Sequence, residues 1–190
     1  IHEVGSKFRI LEKARRVLEV ENLLGVTAGL QDRVLQSVCV ADKGVLAVQM
    51  DFSQSARSDG GCNYATIVNR QTSFSSALVL SDQPSHRGQI PEPIIERLID
   101  GDSRLIEQFS ELGEIGKQAE RAFKDEKWTE LGGLMSATAK KRIEIYGDTL
   151  APVNLTLIEA CEAAGCPCNF TGSGGAVVAM LPEGDTSFEL

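Results

Sequence analysis

The sequence has no apolar run approaching the roughly 20 residues that a membrane-spanning helix needs. Its first residues, Ile1-His2-Glu3-Val4-Gly5, lack the charged-then-apolar pattern of a secretory leader. A basic excess is missing as well: 19 Lys and Arg stand against 27 Asp and Glu, a formal net charge of -8. A nucleic-acid or anionic-membrane surface would need a basic patch to meet phosphates, so neither partner is expected. A phosphate ligand is not excluded, because backbone amides hold one without net positive charge. Paired Cys-x-x-Cys spacing is also absent, and with it the usual zinc framework. The five cysteines, Cys39, Cys62, Cys161, Cys166 and Cys168, are odd in number and irregular in spacing, which makes a poor disulfide framework. Although Cys161, Cys166 and Cys168 cluster, they read as reduced structural thiols, no metal site is expected, and the expected compartment is cytoplasmic. There is no internal repeat and no low-complexity segment. The chain begins with Ile1 rather than Met, which fits a trimmed or partial chain.

What is present is ordinary for a globular protein: 42% hydrophobic and 24% charged residues. A length of 190 residues suggests one domain, or one domain with a piece of another. Ile10, Leu11, Ala14, Val17, Leu18 and Leu24 recur at helical spacing over 7–24, with Gly25 as a stop. A second helix is predicted from Leu30 to Val38, then a short β-branched strand from Gly44 to Phe52. Residues 53–73 are polar loop with one short strand at Tyr64–Val68, and Ser76–Leu80 is a further strand. Ser81–Pro93, rich in Pro and Gly, reads as a turn or active-site loop. Helices follow from Pro93 to Ile99, from an Asp102 or Ser103 cap to about Phe123, and from Lys127 to Tyr146. Pro152 opens another helix that stops at Gly165. Cys168–Phe170 and Ala176–Leu181 are strand segments. This order predicts an α+β fold with helices on one face of a mostly antiparallel sheet.

Two stretches can carry chemistry. In Gly25-Val26-Thr27-Ala28-Gly29-Leu30-Gln31-Asp32-Arg33, a glycine pair precedes an Asp at a helix start, where the dipole favours negative charge. Such a carboxylate can orient or deprotonate a substrate hydroxyl, or it can be a plain first-turn helix residue. In Phe170-Thr171-Gly172-Ser173-Gly174-Gly175-Ala176, successive amides can converge on one anion, or the run can be a tight hairpin turn. No Lys-Ser or Lys-Thr follows it, so it is not a Walker loop.

Together, roughly 140 residues apart and in this order, the two stretches resemble motifs of the GHMP-superfamily sugar kinases, most closely the glucuronokinases. The resemblance covers most of the chain and includes the strand ending Met50-Asp51-Phe52, the Pro-rich loop and the helices around Trp128. It implies the end of a GHMP N-terminal domain over 1–51 and a ferredoxin-like GHMP C-terminal domain over 52–190. It implies ATP and Mg2+ as cofactors and phosphorylation of a sugar hydroxyl, for glucuronokinases the anomeric hydroxyl of D-glucuronate. Asp32 would be the catalytic carboxylate. Gly29, Arg33, Gly172, Ser173, Gly174 and Gly175 would line the substrate and phosphates. A sugar-acid carboxylate calls for a forked cation, for which Arg33, Arg97 and Arg142 are candidates.

The family's Pro-x-x-x-Gly-Leu-Gly/Ser-Ser-Ser-Ala loop, which cradles the triphosphate, is not in this sequence, and neither is its first motif. The expectation is a C-terminal portion of such an enzyme, inactive alone and prone to self-association through its truncated N-terminal domain. A heptose-phosphate, fucose or galactose type of kinase, or a non-catalytic binding remnant, is the alternative. The link Ser37–Gly44 is longer than the relatives' Tyr-Gly-Gly, and Asn169 stands where a Lys often precedes the glycine run.

Overall fold

A computed structural model describes residues 2–24, 30–41, 45–51, 63–68, 74–82, 92–171 and 175–181; of these, 2–9, 22, 39–41, 45–51, 63–68 and 92 are described by backbone alone. The chain divides into two compact units, 1–72 and 73–190. The fold is α+β, mostly helical.

In the first unit, helix α1 (His2–Leu23) packs on helix α2 (Leu30–Ala41), and strands β1 (Val45–Asp51) and β2 (Asn63–Val68) pair antiparallel. The pairing keeps β2 with β1, and a bulge between Val45 and Ala47 shifts the register. The helix pair is closed by Ala14, Val34 and Val38, with Ile10, Leu11 and Leu30 around them. The expected apolar stripe of α1 therefore splits. Its middle is buried, while Val17 and Leu24 are exposed at 40% and 75%, as are Val20 and Leu23 outside the stripe at 55% and 87%. Arg33 of α2 closes its fork on Glu21 of α1, Nε to one carboxylate oxygen at 2.6 Å and the terminal nitrogen to the other at 2.5 Å. This forked pair ties the two helices beside their apolar contact.

The second unit holds strand β3 (Ser76–Leu80), helices α3 (Glu92–Ile99), α4 (Ser103–Lys124) and α5 (Trp128–Tyr146), a short 3-10 turn (Gly147–Thr149), helix α6 (Pro152–Ala163), and strands β4 (Cys168–Phe170) and β5 (Ala176–Met180). The sheet is antiparallel in the order β3-β5-β4, with Leu78 opposite Val178 and Asn169 opposite Val178 on the other side. Period-two alternation sends Val79, Val177, Ala179, Cys168 and Phe170 into a core shared with Ala139 of α5 and Ile158 and Cys161 of α6. On the opposite face Leu78 and Leu80 are exposed at 61% and 66%, so the described helices cover one side of the sheet.

Local chemistry explains the helix limits. Asp102 caps α4 by accepting the Leu105 N–H at 3.0 Å. That bond, helped by Arg97, holds the Asp102 carboxyl below its ordinary range. Pro152 opens α6, and Gly165, at φ +73°, adopts the left-handed conformation that ends it. Phe74, Phe123 and Trp128 stack with centroids 5.1 to 6.3 Å apart and join the start of β3 to the α4–α5 corner.

Helix α5 meets the β4 end closely at Gly132, where an added Cβ would lie 2.9 Å from Pro167 Cγ and 3.4 Å from Met180 Sδ. The proline ring cannot swing aside, so Gly132→Ala is expected to destabilise by about 1–3 kcal/mol through overpacking. The neighbouring Gly133 has open space around its Cα. Gly133→Ala is expected to stabilise by up to about 1 kcal/mol through helix propensity. Thermal melts of both variants check this pair; equal shifts would contradict the packing.

Candidate functional site

Asp32 lies in the first turn of α2 and is exposed. The helix period explains why. Val34, Ser37 and Val38 face inward, which leaves Gln31, Asp32, Leu35 and Gln36 on the open side. An N-terminal first turn presents unpaired N–H groups and partial positive charge, which suits a carboxylate there. Arg33, one residue on, is half-buried and bonded to Glu21; that hydrogen bond, then the charges of Glu21 and Asp32, raise its pKa further above the ordinary value. Its fork therefore serves the α1–α2 contact. Gly29 lies outside the described residues.

The glycine run sits in the second unit, on the connection of the β4–β5 hairpin. Thr171 bonds the Ala176 carbonyl through its backbone N–H at 3.4 Å and its hydroxyl at 3.2 Å. Gly172, Ser173 and Gly174 lie outside the described residues. Gly175 is at φ +77°, a region that side chains other than glycine rarely enter. Its N–H donates to Asn154 Oδ1 at 2.8 Å, and its carbonyl accepts the Ser81 N–H at 2.9 Å. Gly175 is thus an anchored point just before β5, held by α6 on one side and the end of β3 on the other. Asn154 is 2% exposed and is the residue that a reading of the sequence passes over. A usable signal was there: a polar residue near the start of a helix whose other inward positions, Ile158 and Cys161, are apolar.

Two of the three candidate forked cations are bound to carboxylates: Arg33 to Glu21, and Arg97 to Asp102 at 2.7 Å. The third, Arg142 of α5, donates to the Phe170 carbonyl at 3.4 Å, one residue before Thr171.

Cys161, Cys166 and Cys168 are reduced thiols buried in the core of the second unit. Burial raises the Cys161 thiol pKa, and burial together with its sulfur neighbours pushes Cys168 up to about 12. Both are protonated at neutral pH, which makes them poor nucleophiles and poor metal ligands. Cys39 and Cys62 have no described side chains. Among the described residues, no group of His, Cys, Asp and Glu is arranged to hold a metal ion, and no helix is long and apolar enough to cross a membrane.

No family model matches the chain, and no solved structure matches it. Two curated proteins of Arabidopsis thaliana do. The chain is 31% identical to probable glucuronokinase 2 and 33% identical to glucuronokinase 1, each over 190 residues. Both alignments take in 100% of this chain and 50% or 51% of the relative, so the chain spans about half the length of the curated relatives it matches. Over its whole length, the chain is glucuronokinase-like.

Proposed function

We propose that the protein carrying this chain is a GHMP-type sugar 1-kinase that transfers the γ-phosphoryl group of ATP to the anomeric hydroxyl of D-glucuronate. The observation that carries this reading is the similarity to two glucuronokinases across all 190 residues. In this reading residues 1–51 are the end of the GHMP N-terminal domain and residues 52–190 the GHMP C-terminal domain.

Asp32 is the catalytic carboxylate. It accepts the proton of the anomeric hydroxyl as that oxygen attacks phosphorus, and so removes positive charge from the nucleophile. Its exposed place on the open side of α2 leaves it reachable by a sugar. Gly29 and Arg33, next to it in sequence, bind the substrate or its phosphates in this reading, Arg33 while holding α1 through Glu21. Gly172, Ser173, Gly174 and Gly175 line the phosphates, with Gly175 as the fixed end. A glycine-rich turn with one glycine already at positive φ fits a phosphate neighbour, because backbone can approach the oxygens closely. When bound, ATP with Mg2+ supplies the transferable phosphoryl group and its countercharge.

With the natural polypeptide, Asp32→Ala is expected to lower kcat for glucuronate by about 10²–10⁴-fold. Circular dichroism should be unchanged, since the side chain is exposed. Steady-state assay decides, and near-normal turnover would remove Asp32 from this role. Asn154→Ala leaves the Gly175 N–H without its acceptor. It is expected to cost about 1–3 kcal/mol of stability and to raise KM for ATP, while Asn154→Asp, which keeps an acceptor, loses less. An unchanged KM in a folded Asn154→Ala variant would separate the anchor from phosphate binding.

A further inference from the structure

Asp32, the carboxylate proposed to take the proton, sits in the first turn of α2. Helix ends fray, because their first N–H groups lack partners within the helix. A base on such a turn works only if the turn is held still. The apolar contact of α1 with α2 does little of this. Its buried residues are Ala14, Val34 and Val38, and Leu30 is only partly buried against them. Where α1 ends, Val20, Leu23 and Leu24 are exposed.

The fork between Glu21 and Arg33 stands at that place instead. Glu21 lies in the last turn of α1 and Arg33 in the first turn of α2, next to Asp32. Both carboxylate oxygens are used: Nε donates to one at 2.6 Å and Nη2 meets the other at 2.5 Å. The two side chains are only 15% and 23% exposed. In each other ion pair among the described residues, one side chain is at least 47% exposed. Exposed pairs hold little, whereas a shielded two-point fork fixes direction as well as distance. Adjacent helix residues do not face each other, so Arg33 turns to Glu21 while Asp32 stays on the open side. Of the two carboxylates whose charge bears on Arg33, the fork takes Glu21 and not Asp32.

We infer that Glu21 is a positioning residue for the phosphoryl transfer: through Arg33 it fixes the first turn of α2, aims the Asp32 carboxylate and keeps the guanidinium from neutralising it. In this role Glu21 touches neither sugar nor phosphate. The inference rests on the kinase reading with Asp32 as its base.

The test assays the natural polypeptide as wild type, Glu21→Gln, Glu21→Asp, Val38→Ala, Asp32→Ala and the double variant of Glu21→Gln with Asp32→Ala, each below its melting temperature. Values of kcat, and of KM for D-glucuronate and ATP, are measured. Glu21→Gln keeps the size of the side chain and loses its charge. It is expected to lower kcat by about 10- to 100-fold, the effect of a slightly misplaced base, with both KM values within about twofold. Glu21→Asp, which keeps the charge with a shorter reach, should lose less. Val38→Ala weakens the same helix pair from its apolar side, so it should melt earlier with kcat unchanged. In the Asp32→Ala background, Glu21→Gln should cost no more than about twofold further, since there is no base left to aim. An unchanged kcat in Glu21→Gln, a loss confined to KM, an equal kcat loss in Val38→Ala, or a full multiplicative loss in the double variant overturns the inference. If Glu21→Gln does not fold, Glu21→Asp decides: an unchanged kcat there overturns it. A wild type that does not phosphorylate glucuronate, or an Asp32→Ala variant with near-normal turnover, sinks the kinase reading and the inference with it. Turnover that Asp32→Ala abolishes and Glu21→Gln keeps sinks the inference alone.

Discussion

The hydrogen bond from the Gly175 N–H to Asn154 Oδ1 carries more of this structure than its single contact suggests. Asn154 is almost fully buried, and a buried amide without a partner costs free energy. The bond therefore fixes where α6 begins relative to the β4–β5 connection. Gly175 can accept that bond geometry because it takes a positive φ, and its carbonyl continues the ladder to Ser81 after β3. One polar contact thus joins a helix, a turn and the ends of two strands. The apolar core beneath, around fully buried Val177, Ala179 and Cys168, fills the space these elements leave.

Charge is arranged economically around the features proposed to act. In the first unit Arg33 is committed to Glu21, so the forked pair secures the helix whose first turn presents Asp32. In the second, Arg97 supports the Asp102 cap of α4, while Arg142 is held by aromatic rings at the end of β4. The three arginines that look alike in sequence are separated by what they touch. Two hold helices, and the third sits where the glycine run begins.

Much of the fold was legible in the sequence because its signals are local. Pro152 and Gly165 mark α6, Asp102 marks the start of α4, and the apolar run from Ala176 to Leu181 marks β5. The exposure of Val17 and Leu24 was not visible in the period of α1, since spacing shows which residues share a face and not what covers it. Asp32 and the glycine run were found through wording and order. Asn154 was missed because its role is a long-range contact, 21 residues away in the chain. Gly29 and Gly172–Gly174 lie outside the described residues, so their roles come from motif resemblance alone.

The proposed role of the protein carrying this chain is to phosphorylate the anomeric oxygen of a sugar acid. The most direct measurement is 31P NMR of the natural polypeptide incubated with D-glucuronate, ATP and Mg2+. A resonance of an anomeric sugar phosphate growing in step with ADP is expected. Consumption of ATP to inorganic phosphate alone, or no consumption with glucuronate present, would contradict it.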